Sequence, residues 1–275
     1  MTIDNSFMIK KLESFESVYV LFSAATRSPF VECDEDTMDD QIYLFTSEDK
    51  AKEYAERFRK EKLAVQPAKL PGKAAKPFFT SLYLMGITAV IIQDEGAPMR
   101  AALDQLAKSP DLDTMKQAKV PGANPELQLT GMYFMQELAR PLERTAEEKK
   151  HLRELEEEMA HNLLASRLIV SFDVSAIKGK WNPADPQQRK QVRVPMIRHK
   201  NGKSYQPVYT DMSEFQKFNQ KNKNVKLQIL VVPYEKLAGL LVKEAEGFAI
   251  NPGGFNLILN RAQLEQMAKR YGEGA

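Results

Sequence analysis

Apolar and polar residues along the first hundred positions follow a pattern that predicts a small mixed sheet with helices between its strands. Short β-branched or aromatic runs separated by turn-forming residues predict strands, and apolar residues at helical spacing predict helices. The predicted elements are, in order, strands at 18–23, 30–34 and 41–46, a helix at 51–58, a strand at 63–70, a short helix ending at Gly86 and a strand at 87–93.

The same order of elements returns in the last third of the chain. The predicted elements there are a hairpin of 193–199 and 204–210, a helix that begins after Asp211, a strand at 225–232, a helix at 234–247 and a short strand at 248–250. Asn201-Gly202 at the hairpin tip predicts a type I′ turn, and Asp211 predicts an N-cap.

The two segments also share one register. At an offset of 164 residues, Phe45 aligns with Tyr209, Ala51 with Phe215, Tyr54 with Phe218, Leu63 with Leu227, and Val65 with Ile229. Further on, Gly86 aligns with Gly247 at an offset of 161. Coincident apolar positions at a nearly fixed period predict an internal repeat of two similar α/β units, with 63–70 and 225–232 as equivalent strands.

The segment between the units has a different texture. A loop at 110–125 leads to a helix stopped by Pro141, and a capping box, Thr145 to Glu148, begins a second helix. Its apolar stripe, predicted to be buried, is Leu152, Leu155, Met159 and Leu163. The sequence therefore predicts an α+β fold of two repeated ββαβαβ-type units with mixed β-sheets, at 1–110 and 166–275, joined by a loop and helical connector at 111–165.

The composition is that of an ordinary globular protein. Hydrophobic residues make up 43% and charged residues 28% of the chain, and the mean hydropathy is -0.44. No window reaches the roughly 18 apolar residues that a membrane-spanning helix needs, and the first residues lack the apolar core of a secretory signal. Cys33, the one cysteine, cannot form an internal disulfide. These features predict a cytoplasmic protein without a membrane association.

Charge is unevenly distributed along the chain. Residues 166–275 hold 18 Lys and Arg against 9 Asp and Glu, whereas the rest of the chain has an acidic excess. The clearest basic cluster, with an aromatic residue upstream, is Arg193, Arg198, Lys200, Lys203 and Trp181. The pI of about 8.4 and the absence of a nucleic-acid-binding motif argue against nucleic acid and leave an acidic protein as the possible partner.

Residues suited to catalysis are few and scattered. Carboxylates flank Cys33 and disfavour its thiolate. His161 completes a Glu-x-x-His spacing with Glu158, but a di-iron site needs a second such motif, and the chain holds none. The usual nucleophile, metal and phosphate-loop motifs are absent. We therefore predict no catalytic residue, no metal site and no cofactor.

Two phrases of the second unit resemble the conserved pattern of the SseB family. They are Gln206-Pro207-Val208-Tyr209-Thr210 and Gly247-Phe248-Ala249-Ile250-Asn251-Pro252, the latter continued by Gly253 and Gly254. The first unit resembles the same domain in divergent form, with Gln93-Asp94-Glu95-Gly96 at the corresponding turn. The resemblance implies a cytoplasmic bacterial protein and transfers no catalytic residue. A function that resides in the turn of the second unit should be absent from the first.

Two function classes stay open. The first is a non-catalytic binding or scaffold protein whose working surface lies on the C-terminal unit. Substitution of the turn glycines should destabilise the fold if Gly253 or Gly254 holds a positive φ. The alternative is a small-molecule-binding or enzymatic protein with a site in a cleft between the units. The molecular function, the partner and the oligomeric state stay undetermined by the sequence.

Overall fold

The computed structural model describes residues 6–110, 123–182, 184–200, 202–220 and 225–272. The chain divides into two compact units: unit one holds Met1–Leu112 and Gln128–Glu156, and unit two holds Asp113–Leu127 and Glu157–Ala275. Helices α5 (Pro125–Leu138) and α6 (Ala146–Ala165) each contribute residues to both units. The expected separate connector is thus shared between the units in the described part of the chain, and most of the expected loop at 110–125 lies outside the described residues.

Unit one is a mixed sheet with helices inserted between its strands. Its strands are β1 (Ser17–Ser23), β2 (Ser28–Pro29), β3 (Glu32–Cys33), β4 (Asp40–Phe45), β5 (Val65–Pro71), β6 (Ala89–Gln93) and β7 (Met99–Ala102). Its helices before α5 are α1 (Ser6–Ser14), α2 (Glu48–Lys60), α3 (Ala75–Leu82) and α4 (Leu103–Leu106), with 3₁₀ turns at Gly72–Ala74 and Tyr83–Met85. Strand β1 lies between β5 and β4, and β6 follows β4 in parallel before the antiparallel β7.

Unit two repeats this connectivity. Its strands are β8 (Arg167–Asp173), β9 (Ile197–Arg198), β10 (Ser204–Tyr209), β11 (Leu227–Pro233), β12 (Gly247–Ile250) and β13 (Leu257–Asn260). Its helices after α6 are α7 (Pro186–Arg189), α8 (Met212–Asn219), α9 (Tyr234–Leu237) and α10 (Arg261–Tyr271), with a 3₁₀ turn at Ala238–Leu240. The strand order is β11-β8-β10-β12-β13, with β10 and β12 parallel. The predicted α+β fold with two similar sheet units is confirmed.

Equivalent aromatic side chains pack between the sheet and α2 in unit one and between the sheet and α8 in unit two. The rings of Phe45 and Tyr54 lie 5.3 Å apart in unit one, and those of Tyr209 and Phe218 lie 5.7 Å apart in unit two. Each pair joins the central strand to the helix that follows it, and the pairs match at the predicted offset of 164. The repeat therefore extends from connectivity to packing.

The predicted register shifts in the later strands. Val20 pairs with Ala68 and its counterpart Val170 pairs with Leu230, so the offset in β5 and β11 is 162, not 164. Val65 is thus equivalent to Leu227, although the two strands are equivalent as predicted. A shift by two residues keeps every side chain on its own face of the sheet, which is why the apolar pattern concealed it.

Gly86 and Gly247 are not equivalent. The parallel pairing places Gly247 level with Ala89, at an offset of 158, so Gly247 is the first residue of β12. Gly86 ends a 3₁₀ turn with a φ of 76°. A Cβ on Gly247 would lie 2.0 Å from the carbonyl oxygen of Leu259 on β13. Close approach of two strands, and not the end of a helix, therefore requires glycine at this position.

Three predicted elements are shorter than the sequence indicates. The helix expected at 234–247 ends after the 3₁₀ turn at Leu240, because the Val242 and Ala245 carbonyls accept hydrogen bonds from Arg261 and the Val242 N–H donates to Gln206. The strand expected at 30–34 is reduced to β3 (Glu32–Cys33), paired with β4, while β2 (Ser28–Pro29), paired with β1, lies just before it. The hairpin strand expected at 193–199 is reduced to β9 (Ile197–Arg198). The His199 N–H donates to the Lys203 carbonyl, and Asn201, with the type I′ turn predicted there, lies outside the described residues.

The apolar stripe of α6 is buried over its second half only. Met159 is 1% exposed and Leu163 is fully buried, whereas Leu152 and Leu155 are half-buried. The predicted capping box forms, with the Glu148 N–H donating to Thr145 Oγ1 at 3.2 Å and the Thr145 N–H donating to the Glu148 carboxylate at 2.8 Å. The prediction of a stripe buried throughout was wrong for Leu152 and Leu155.

Truncation of Leu163 should be more destabilising than truncation of Leu155. Leu163→Ala removes a fully buried side chain and should lower the free energy of unfolding by about 2–5 kcal/mol through lost transfer energy and a cavity. Leu155→Ala should cost about half as much, since solvent already reaches this side chain. Urea denaturation of both variants measures the difference, and equal costs would contradict the burial seen along α6.

Candidate functional site

The turn that carries the family resemblance lies where parallel strands β10 and β12 end side by side. Asn251 follows β12 directly, is fully buried and has a φ of 46°, in the left-handed region that asparagine tolerates better than most residues. Its backbone N–H donates to the Val208 carbonyl at 2.9 Å. Its carbonyl accepts from the N–H groups of Gly254 and Asn256. Asn251 therefore anchors the whole loop between β12 and β13.

The side chain of Asn251 bridges the two strand ends. Its Oδ1 accepts from the Thr210 N–H at 2.9 Å, and its Nδ2 donates to Thr210 Oγ1 at 2.8 Å. Both heteroatoms of the amide are thus bound to one residue that is itself fully buried. The amide supplies the hydrogen bonds that the strand ladder no longer provides at this point.

The network continues into the first turn of α8. The Thr210 hydroxyl donates to Asp211 Oδ2 at 2.8 Å, and Asp211 Oδ1 accepts from the Ser213 and Glu214 N–H groups at 2.8 and 3.0 Å. Asp211 is therefore the predicted N-cap, and its carboxylate satisfies two amides that the helix leaves without a carbonyl partner. Asn251, Thr210 and Asp211, which we name the corner network, tie β12, β10 and α8 together.

The turn glycines serve close packing. Neither Gly253 nor Gly254 has a positive φ, so the condition set for them is not met, and Asn251 and Asn256 hold the left-handed conformations of the loop. A Cβ on Gly254 would lie 2.7 Å from a carboxylate oxygen of Glu214, whose side chain is buried and ion-paired with Lys217. The carboxylate of Glu214 thus packs directly on the backbone of the turn. Pro252 is half-buried within the same loop.

Unit one holds its corresponding corner with different chemistry. Thr46 is the counterpart of Thr210, but its hydroxyl donates to Asp94 Oδ1 at 2.7 Å. Asp94 also forms an ion pair with Lys11, and its carbonyl accepts from Lys50, which occupies the position of Glu214. Ser47, at the position of Asp211, makes no side-chain cap bond. The same corner is therefore fastened by cations in unit one and by an amide and an N-cap carboxylate in unit two.

The basic residues lie at the other end of the sheet in unit two. Arg198 pairs with Ser204 at the start of β10, and Arg193 bridges to Asp173 at the end of β8. Arg193, Arg198 and Lys200 are exposed, and Trp181 is half-buried. Lys203 forms an exposed ion pair with Glu246 at 3.4 Å. Strand β10 separates this group from the corner network by about 17 Å, at 3.3 Å per residue. The candidate residues therefore form two groups and not one site.

Cys33 and His161 are the other side chains that the sequence singled out for their chemistry. Cys33 is exposed, and partial desolvation together with the Asp40 and Asp34 carboxylates raises the pKa of its thiol. His161 contacts the ring of Tyr271 edge-on at 5.8 Å. Within the described ranges, no group of three or more His, Cys, Asp or Glu side chains could hold a metal ion. Over the same residues, no helix is long and apolar enough to cross a membrane.

Comparison with protein families identifies the domain that carries the corner network. Residues 140–266 match the family model described as the SseB protein N-terminal domain. Residues 140–266 therefore form an SseB-type domain, and the resemblance predicted from the sequence is confirmed for unit two, whereas for unit one it stays a prediction. The match spans the strands of unit two and leaves most of unit one outside it. No curated protein matches the chain.

Two solved structures have weak similarity to the chain. Tic22 from Plasmodium falciparum is 12% identical with a TM-score of 0.23, and 98% of each chain is covered. Anabaena Tic22, titled as a protein-transport protein, is 8% identical with a TM-score of 0.22, and 82% of this chain and 81% of that chain are covered. At these TM-scores neither structure supports a functional conclusion for this chain.

Loss of the Asn251 side chain should destabilise unit two. Asn251→Ala removes both hydrogen bonds to Thr210 and places alanine in the left-handed region, so the free energy of unfolding should fall by about 2–4 kcal/mol. Asn251→Gly removes the same bonds without the conformational strain and should cost about 1 kcal/mol less. Chemical denaturation measures both values. Wild-type stability in both variants would show that the corner network contributes nothing.

The corner of unit one should respond to acid through Asp94. Hydrogen bonds from Lys11 and Thr46 lower the pKa of the Asp94 carboxyl below its usual range. The resulting stabilisation is present above the unfolded pKa of about 3.9 and is lost as the pH falls through the lower folded value. Asp94→Asn should therefore lose less stability than wild type between pH 6 and pH 3, measured by urea denaturation. Parallel pH profiles would contradict this role.

Proposed function

We propose that the chain is a non-catalytic binding protein that presents its working surface on unit two, with an acidic protein surface as the partner of the basic hairpin. The observation that carries this proposal is that the corner network and the basic hairpin residues differ in how their polar atoms are used. The corner network uses its polar atoms for internal hydrogen bonds, whereas Arg193, Arg198 and Lys200 are exposed.

The electrostatics of the hairpin favour association over stability. Within the described part of the chain, no ion pair engages Arg193, Arg198 or Lys200, so their charges are available to a partner. Exposed charges contribute little to folding but steer a partner of opposite charge and accelerate encounter. The positive excess of residues 166–275 acts in the same direction. Trp181, which precedes the hairpin in the sequence, is half-buried and offers part of its ring to a partner.

The family match is compatible with this function and adds no catalytic role. The matched residues, 140–266, include Asn251, Thr210 and Asp211, which stabilise the fold of unit two. The arrangement of Cys33 and the histidines supports no reaction class. The alternative of a ligand site in a cleft between the units stays a prediction, without an observation that favours it.

Charge reversal at the hairpin tests the proposal. Arg198→Glu with Lys200→Glu should slow association with the native partner about 3- to 10-fold at low ionic strength, because steering by exposed charges is lost. Wild-type binding should itself weaken as salt rises, since screening acts over roughly 8 Å at physiological ionic strength. The measurement is recovery of partner from nuclease-treated cytoplasm at two salt concentrations, followed by the association rate of the purified partner.

A second charge reversal provides the matched control. Lys236→Glu with Lys243→Glu changes the net charge by the same amount at exposed positions of the same unit. This variant should bind nearly as wild type does if the hairpin is the contact surface. Equal loss in both variants would reduce the effect to net charge, and no loss in either would remove the hairpin from the mechanism.

A further inference from the structure

Strand β11 forms an edge of the sheet in unit two. Its partner among the described residues is β8, and two hydrogen bonds that flank the pairing fix which peptide groups face that partner. The Val174 N–H donates to the Lys226 carbonyl at 2.9 Å, and the Tyr234 N–H donates to the Ser166 carbonyl at 3.1 Å. Since the direction alternates along an antiparallel strand, every second residue between Lys226 and Tyr234 faces β8.

The alternation leaves Leu227, Ile229, Val231 and Pro233 facing away from β8. Pro233 has no N–H and is the N-cap of α9, so the outward positions with both peptide groups available are Leu227, Ile229 and Val231. In the described part of the chain, no hydrogen bond engages these outward N–H and C=O groups. Such a row of peptide groups is a template for another strand.

The equivalent edge of unit one is closed. Hydrogen bonds from Ala24 N–H to the Ala64 carbonyl and from Gly72 N–H to the Glu16 carbonyl, both at 2.8 Å, set the same alternation on β5. Its outward positions are Val65, Pro67, Lys69 and Pro71. The prolines have no N–H, the Val65 carbonyl accepts from Arg59 at 3.2 Å, and the Val65 N–H donates to the Leu63 carbonyl at 3.0 Å.

The two edges therefore differ at the central outward positions, Pro67 against Ile229 and Lys69 against Val231, and share a proline at Pro71 and Pro233. Prolines and lysines are the residues by which natural edge strands avoid pairing, and unit one has them where unit two has Ile229 and Val231. The neighbouring face of β11 is apolar as well, because Leu230 is 47% exposed. Strand β11 lacks this protection, whereas the equivalent strand β5 of the same chain has it. This difference indicates that β11 is a docking edge.

We propose that β11 binds an extended segment of a partner protein by strand addition, and that this segment has an apolar centre flanked by acidic residues. The apolar centre matches the exposed Leu230 on one face of β11 and, on the other face, the half-buried Ile229 and Val231, which pack against the cluster of Ile169, Tyr209 and Phe215. Main-chain hydrogen bonds to the outward peptide groups supply the affinity, and the flanks supply specificity.

Charge at both ends of β11 selects acidic flanks. Lys226, exposed, lies at the start of the strand, and Arg167, exposed, pairs with Pro233 at its end. Lys221 and Lys223 precede the strand in the sequence. A second copy would bring together two segments that each carry the same basic excess, so charge complementarity favours a different, acidic partner. This inference goes beyond the proposed function and uses none of the hairpin residues.

Amide exchange tests the docking edge residue by residue. The probe is the synthetic peptide Asp-Glu-Val-Thr-Val-Thr-Val-Glu-Asp, added to the full chain. Its binding should slow exchange of the Leu227, Ile229 and Val231 amides at least about tenfold, while the amides that already face β8 change little. A matched peptide with lysines in place of all four acidic residues should bind about tenfold more weakly at low salt.

Two substitutions transfer the closed edge of unit one to unit two. Ile229→Pro reproduces Pro67 and removes an N–H that makes no bond within the sheet, so binding should be lost while the protein stays folded. Val231→Lys reproduces Lys69 and carries the same test if the proline variant fails to fold. Gln228→Lys, which adds the same charge at a position whose peptide group faces β8, is the control and should retain peptide binding.

Several outcomes would overturn the proposal. Absence of protection by the acidic peptide would exclude strand addition at β11, and equal binding of the basic peptide would exclude the stated chemistry. Protection that appears without peptide and grows with protein concentration, together with a doubled mass, would identify a second copy as the occupant. The Arg198→Glu, Lys200→Glu variant should still bind the peptide, so failure here and failure of the hairpin proposal are distinguishable.

Discussion

The fold of unit two depends on how two parallel strands end beside the first turn of a helix. A parallel ladder stops at this point, and the peptide groups of Thr210 and the loop after Ile250 would be buried without partners. One asparagine amide meets this constraint by binding Thr210 twice. Through the Thr210 hydroxyl, the same network reaches Asp211 and the amides of α8. The order of strand, helix and returning strand is held at this corner.

The two units show that one connectivity accepts different polar chemistry. Unit one binds its corner through Asp94, with Lys11, Lys50 and Thr46 as donors, and unit two uses an amide and an N-cap. The same aromatic pair packs helix on strand in each unit, as Phe45 with Tyr54 in unit one and as Tyr209 with Phe218 in unit two. Packing at the sheet therefore sets the architecture, while polar groups at strand ends and edges are free to differ and to distinguish the roles of the units.

Polar groups of unit two differ in whether they are used inside the fold. The buried carboxylates Asp211 and Glu214 serve the start of α8 and the backbone of the turn. Among the described residues, no ion pair engages Arg193, Arg198 or Lys200, and no hydrogen bond engages the outward peptide groups of Leu227, Ile229 and Val231. Recognition of an acidic partner by these two surfaces is what we propose for unit two.

The sequence by itself determined the apolar register of the helices and central strands, the N-cap at Asp211, the capping box at Thr145 and the repeat, because each depends on residues close together in the chain. Tertiary structure decided which strands pair and at which offset. The sequence signal for the open edge was the lack of proline and charge in 227–232. This signal could be interpreted only after the structure had shown that β5, with Pro67 and Lys69, is the equivalent edge strand. Gly247 is explained by the Leu259 carbonyl and Asn251 by Thr210, contacts between strands that no local periodicity reports.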